Sequence, residues 1–214
     1  MAVDSLISLI GIGAAAFVAT NIDDIVVLMV FFSSSVYQAR HIVIGQYLGI
    51  GSLIAISALG SLLALVVPPY VIGLMGLVPI AIATKELIEK RNNKKKPEEE
   101  EEEIISKGKL LQQSNNKGYN QHYFSFISVA VVTISNGGDN IGIYTPLFAT
   151  YNSSLEVITL TSLFMAMTAF WCVIGYYLVK HPLLKKRMWR FGHVILPFVL
   201  IGLGIYIMTE AFLL

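Results

Sequence analysis

The chain has 214 residues, 15 Lys and Arg against 14 Asp and Glu, and a formal net charge of +1; 55% of it is apolar and only 14% is charged. Soluble domains carry about a quarter charged residues, so this composition, with a mean hydropathy of +0.69, excludes an ordinary soluble domain. The near-zero net charge argues against a nucleic-acid partner, and the single cysteine, Cys172, excludes an internal disulfide framework or a CxxC metal clamp.

A membrane-spanning helix needs about 20 predominantly apolar residues, and six segments meet that requirement. No basic residue precedes the first, so a cleaved signal peptide is not expected and this segment should stay in the mature protein. It runs from about Leu6 to Phe32 and is interrupted by Asn21-Ile22-Asp23-Asp24. The second, about Ile42 to Val67, is rich in glycine and ends at Pro68-Pro69. Its Gly45-xxx-Gly49 spacing would let another helix approach closely in lipid. The third runs from about Val71 to Ile88.

A polar stretch follows, Glu89 to His122, with Lys94-Lys95-Lys96-Pro97, the acidic run Glu98 to Glu103, and then Gln and Asn. It has nothing to bury, so it reads as a solvated cytoplasmic loop. The fourth segment, about Phe124 to Ala149, is interrupted by Asn136-Gly137-Gly138-Asp139-Asn140. The fifth spans about Leu155 to Val179 and the sixth about Val194 to the C-terminus. The expected organisation is therefore a three-helix unit over 1–88, a charged loop over 89–122 and a second three-helix unit over 123–214.

Every Lys and Arg follows an odd-numbered segment: Arg40, Lys85 to Lys117, and Lys180 to Arg190. Positive residues favour the cytoplasmic side, which puts both termini outside. The two halves also resemble each other weakly. Asp23-Asp24-Ile25 matches Asp139-Asn140-Ile141, and the run Pro79 to Thr84 matches Gly204 to Thr209. Three spans per half force the second copy to enter from the opposite side. The expected fold is thus an all-α integral membrane protein of six helices in a 3+3 inverted repeat, with helices 1 and 4 broken at mid-membrane. In such folds the substrate site lies between the repeats.

The chemistry concentrates at the two breaks. A carboxylate at mid-membrane costs about 2.5–3.5 kcal/mol on insertion scales, so Asp23, Asp24 and Asp139 would together cost of order 8–10 kcal/mol if unpaired. No Lys or Arg lies within a span to neutralise them except Lys85 at the very end of the third; a cation, protons or both must. Adjacent residues on a regular helix point about 100° apart, so Asp23 and Asp24 face one ligand only where the helix unwinds. Carboxylates, the amides of Asn21, Asn136 and Asn140, and freed carbonyls make an oxygen-rich site suited to divalent metals, manganese or calcium as well as softer ions. The alternative, that polar groups merely stitch helices together, suits the three asparagines. It suits Asp23 and Asp139 poorly, because an amide would serve at lower cost. No phosphate-binding loop, Ser/His/Asp arrangement or HExxH motif is present, so no enzyme activity and no resident cofactor are expected.

Six spans, Asn21-x-Asp23-Asp24, and the run Asn136-Gly-Gly-Asp-Asn-Ile-Gly-Ile-Tyr-x-Pro-Leu-Phe148 resemble the bacterial cadmium-resistance transporter family of the lysine-exporter superfamily. The resemblance covers nearly the whole chain. It implies a multi-pass protein of the bacterial plasma membrane that exports cadmium, and zinc or manganese as further candidates. The expected partners are the lipid bilayer, divalent metal ions, protons as coupling ion and, as an option, a second copy in a homo-oligomer. Two rivals are an amino-acid exporter of the lysine-exporter type and a non-transporting metal sensor or assembly factor that works through the loop 89–122.

Overall fold

The computed structural model describes residues 3–34, 37–63, 68–92, 121–151, 153–180 and 197–210. All regular structure among them is helical: α1 (Val3–Thr20), α2 (Asp24–Ser33), α3 (Ala39–Leu63), α4 (Pro69–Met75), α5 (Leu77–Asn92), α6 (Gln121–Asn136), α7 (Gly138–Thr150), α8 (Ser154–Leu178) and α9 (Pro197–Glu210). Most of the charged loop and the basic stretch at Lys185-Lys186-Arg187 lie outside the described residues.

The first segment breaks where its side chains compete with the backbone. Thr20 Oγ1 hydrogen-bonds back to the Ala16 carbonyl, 3.1 Å, and the Asn21 amide to the Phe17 carbonyl, 2.9 Å. Such local bonds offer the chain an alternative to helix. Asp23 then restarts it, its Oδ1 accepting the Asp24 N–H at 3.0 Å. The axes of α1 and α2 differ by 58° across this break. The fourth segment breaks at Gly137, between α6 and α7.

The third segment departs from the expectation of one continuous helix. It is split at Gly76 into α4 and α5. A Cβ at Gly76 would lie 2.7 Å from the Gly204 carbonyl oxygen of α9. This part of the chain is shaped by a backbone-to-backbone crossing, which only glycine permits.

By length and composition α3 and α8 are long enough to cross a bilayer, and the bent pair α1–α2 makes a third span if taken as one. At about 1.5 Å per residue, the 25 residues of each long helix reach about 38 Å, more than the roughly 30 Å hydrocarbon core. Helix α8 begins with a capping box, Ser153 and Glu156 satisfying each other's backbone N–H groups.

Two close crossings organise the packing. Helix α3 lies along α6 and α7, and α8 lies along α1 and α2. The bare face of α3 makes the first possible: a Cβ at Gly45 would sit 2.6 Å from Val129 Cβ, and one at Gly49 2.6 Å from Thr133 Cβ. On the other side, Gly13 and Gly175 receive Leu160 and Leu28. Between the crossings lies an aromatic core in which Phe17 meets Trp171 edge-on, centroids 5.4 Å apart, and Tyr144 stacks on Phe164 at 4.5 Å. Large apolar side chains such as Ile7, Leu59, Leu155 and Phe170 point outward, while Asn21, Asp24, Gln46, Thr133 and Asn140 are buried. This distribution, apolar outside and polar within, suits a lipid surround.

Candidate cation site

The two breaks meet in the interior. Thr20, Asn21, Asp23 and Asp24 from the first segment and Thr133, Asn136, Gly137 and Asn140 from the fourth line one narrow cleft, closed on the α3 side by Ile50 and Leu53. Gly137 is placed there by packing, since a Cβ on it would run into the Leu53 side chain.

Asp23 spans the gap between the segments. Its Oδ2 accepts a hydrogen bond from Asn136 Nδ2 at 2.8 Å, while its Oδ1 caps α2. Asp24 is 4% exposed. Its Oδ2 accepts from Gln46 Nε2 of α3, and its Oδ1 is buried with no hydrogen-bond partner. Gln46 is 1% exposed and turns its own Oε1 to the Thr133 hydroxyl, which donates at 2.9 Å. A chain of contacts thus links the first segment to the fourth through α3.

A second set of bonds holds the end of α1. Tyr144 is fully buried, and its hydroxyl lies 3.0 Å from Thr20 Oγ1, 2.8 Å from Asn21 Nδ2 and 3.3 Å from Asn140 Nδ2. Asn140 also donates to Asn21 Oδ1 at 3.2 Å. Turned over, its amide would instead donate to the Thr20 carbonyl and to Asp139 Oδ1, each at 3.1 Å. The Asn21 carbonyl, freed by the break, accepts from Trp171 Nε1 at 2.5 Å. Buried polar groups of this kind are costly unless paired, and nearly all here are; Asp24 Oδ1 is the exception among the groups lining the cleft.

Five of the six residues singled out from the sequence line this cleft: Asn21, Asp23, Asp24, Asn136 and Asn140. Asp139 does not. It lies in the first turn of α7, its Oδ1 accepting the Asn140 N–H at 2.9 Å. Among the described residues no group of three or more His, Cys, Asp and Glu side chains is arranged as a metal-binding cluster. The donors at hand are therefore two carboxylates together with amide, hydroxyl and backbone oxygens.

Three contributors went unnoticed in the sequence: Gln46, Tyr144 and Trp171. Gln46 carried a usable signal, as the only amide within the apolar run Ile42 to Val67. Tyr144 sits in the motif of the fourth segment but reads there as an interior aromatic. Trp171 gave no signal, because its role depends on α8 lying against the first break.

No curated protein and no solved structure matches the chain. A family model described as cadmium resistance transporter matches residues 17–213, a stretch that includes both breaks and every residue lining the cleft. The chain belongs to the cadmium resistance transporter family.

Proposed function

We propose that the protein exports divalent metal ions, cadmium foremost, across the bacterial plasma membrane, binding them in the cleft between the two helix breaks. The observation that carries this reading is the buried Asp24 carboxylate, which keeps one oxygen unpartnered beside Asp23 and three asparagines. A buried charge persists when it is paired or coordinates a metal. Asp23 and Asp24 are the primary ligands, Asn21, Asn136 and Asn140 supply neutral oxygens, and Asp139 adds negative charge from the edge of the cleft and joins the ligands as the site rearranges. Protons replace the metal on the return half of the cycle, so that the acids never cross the apolar interior unneutralised. The metal is cargo, and its identity as cadmium rests on the family.

The six-span inverted repeat belongs to the same proposal. In its favour, the second span of each half (α3, α8) packs on the broken first span of the other half (α6–α7, α1–α2), and the third and sixth segments cross at Gly76 and Gly204. That exchange is what a two-fold axis in the membrane plane would produce, and rocking of the halves would alternate access. With both termini outside, the loop 89–122 lies in the cytoplasm.

The amino-acid exporter fits less well. A substrate carboxylate needs a cation or a helix N-terminus. No Lys or Arg lines the cleft, and Asp23 and Asp139 already stand at the N-termini of α2 and α7.

Cadmium tolerance and cell-associated cadmium in a sensitive bacterial host test the assignment. Cells expressing the wild-type chain should tolerate more cadmium and retain less. Asp23→Asn and Asp139→Asn should each lose most of that protection at equal membrane abundance. Full protection by both variants would remove the acids from the site.

A further inference from the structure

Gln46 of α3 hydrogen-bonds to both broken segments. Its Nε2 donates to Asp24 of the first segment and its Oε1 accepts from Thr133 of the fourth. Its surroundings hold it there. Gly45, beside it, takes Val129 against its bare backbone, and Gly49, one turn on, takes the Thr133 side chain. Both polar ends of the amide are thus fixed relative to the cleft, and the side chain is buried. The amide itself can still turn over, because the terminal torsion of Gln is broad and roughly two-fold.

The two orientations have different partners. As found, the amide gives its donor to a carboxylate and its acceptor to a hydroxyl. Turned by 180°, it offers Nε2 to Thr133 and Oε1 to Asp24. Thr133 tolerates the change, since a hydroxyl can accept as readily as it donates. Asp24 does not, since two oxygens then face each other, unless a cation lies between them.

We propose that Gln46 is a cation-responsive plug: its amide donates to Asp24 in the empty site and turns over when a divalent cation binds, delivering Oε1 as a further oxygen ligand while the Thr133 hydroxyl changes from donor to acceptor. The inference rests on the metal site proposed above and deepens it. The amide acts by orientation and coordination; no covalent bond is made or broken and no proton leaves it. An amide oxygen is a ligand for hard and borderline divalent ions, so Gln46 would also help set selectivity.

Cadmium chloride titrated into the purified full-length chain in detergent tests this, with binding measured by calorimetry and the glutamine carbonyl followed by infrared difference spectroscopy after ¹³C-glutamine labelling. In the wild type, a glutamine side-chain carbonyl band should move to lower wavenumber as cadmium binds, and Gln46→Glu should lack that band change. Gln46→Leu should bind cadmium about 10- to 100-fold more weakly, the loss typical for supporting partners of a metal site. Gln46→Glu keeps an oxygen and lacks the donor, and should bind at least as tightly as wild type. A static role, with Gln46 only donating to Asp24, requires no carbonyl shift as cadmium binds, and that result overturns the plug. Asp24→Asn separates the levels. Lost binding in Asp24→Asn with wild-type binding in Gln46→Leu overturns the plug alone, and wild-type binding in Asp24→Asn overturns the site and the plug together.

Discussion

Asp24→Asn should abolish cadmium binding and resistance while leaving the protein folded in the membrane. The substitution changes almost no volume but removes the charge from a side chain that is 4% exposed and whose Oδ1 has no partner. In the wild type that free oxygen is a cost to the fold, of the order of 1–3 kcal/mol for an unsatisfied buried group. A site that accepts such a cost without function is unusual among buried polar groups. An amide there still accepts from Gln46, so the helices stay joined, and the burden of the buried charge is lifted. Thermal stability should therefore hold or rise as binding is lost. The fall in affinity should exceed the 10- to 100-fold typical of a group that only supports a ligand. Calorimetry with cadmium chloride and thermal unfolding on the same preparation measure the two effects. Stability and binding falling together would instead make Asp24 a structural residue.

Gly45→Ala should destabilise the fold. The new Cβ would overlap the Phe126 carbonyl oxygen and lie 2.6 Å from Val129 Cβ. The nearer neighbour is backbone, so no side-chain rotation relieves it. Overpacking of this kind costs about 1–3 kcal/mol, and here it also prises α3 away from α6, carrying Gln46 from Thr133. Gly11→Ala and Gly202→Ala are the controls, since a Cβ at either position meets nothing within 4 Å. Thermal unfolding of the three variants in detergent should leave the controls at the wild-type midpoint and lower Gly45→Ala by several degrees. Equal midpoints for all three would mean that the α3–α6 crossing can open without cost.

The two helix breaks were legible in the sequence because their signal is local. Polar residues interrupt apolar runs at Asn21 to Asp24 and at Asn136 to Asn140, and a helix cannot present Asp23 and Asp24 to one ligand without unwinding. The breaks at 21–23 and at Gly137 are where that reasoning puts them. The split at Gly76 was not legible. One glycine in an apolar segment looks like any other, and its cause, Gly204, is 128 positions away (204 − 76). Gln46 failed for a related reason. A lone amide in a span is visible, but which carboxylate it meets depends on how closely α3 approaches the first segment. The placement of α3 is set by its crossing with α6, which is written in Gly45 and Gly49 only once Val129 and Thr133 are known to fill the space. Asp139 illustrates the converse. Asp139-Asn140-Ile141 matches Asp23-Asp24-Ile25 in sequence, yet Asp139 stays off the lining, where its neighbour Asn140 lies.

On the proposed function, a divalent cation crosses the membrane through the cleft that Asp24 lines. Flux into liposomes that contain the purified full-length chain and a cadmium-sensitive dye tests it most directly, with cadmium added outside and the interior held acidic or at the external pH. Cadmium should enter in both cases, faster with the acidic interior as protons leave in exchange, and Asp24→Asn liposomes should behave like protein-free ones. Wild-type liposomes that take up cadmium, zinc, manganese and calcium no faster than protein-free liposomes would contradict the transporter reading.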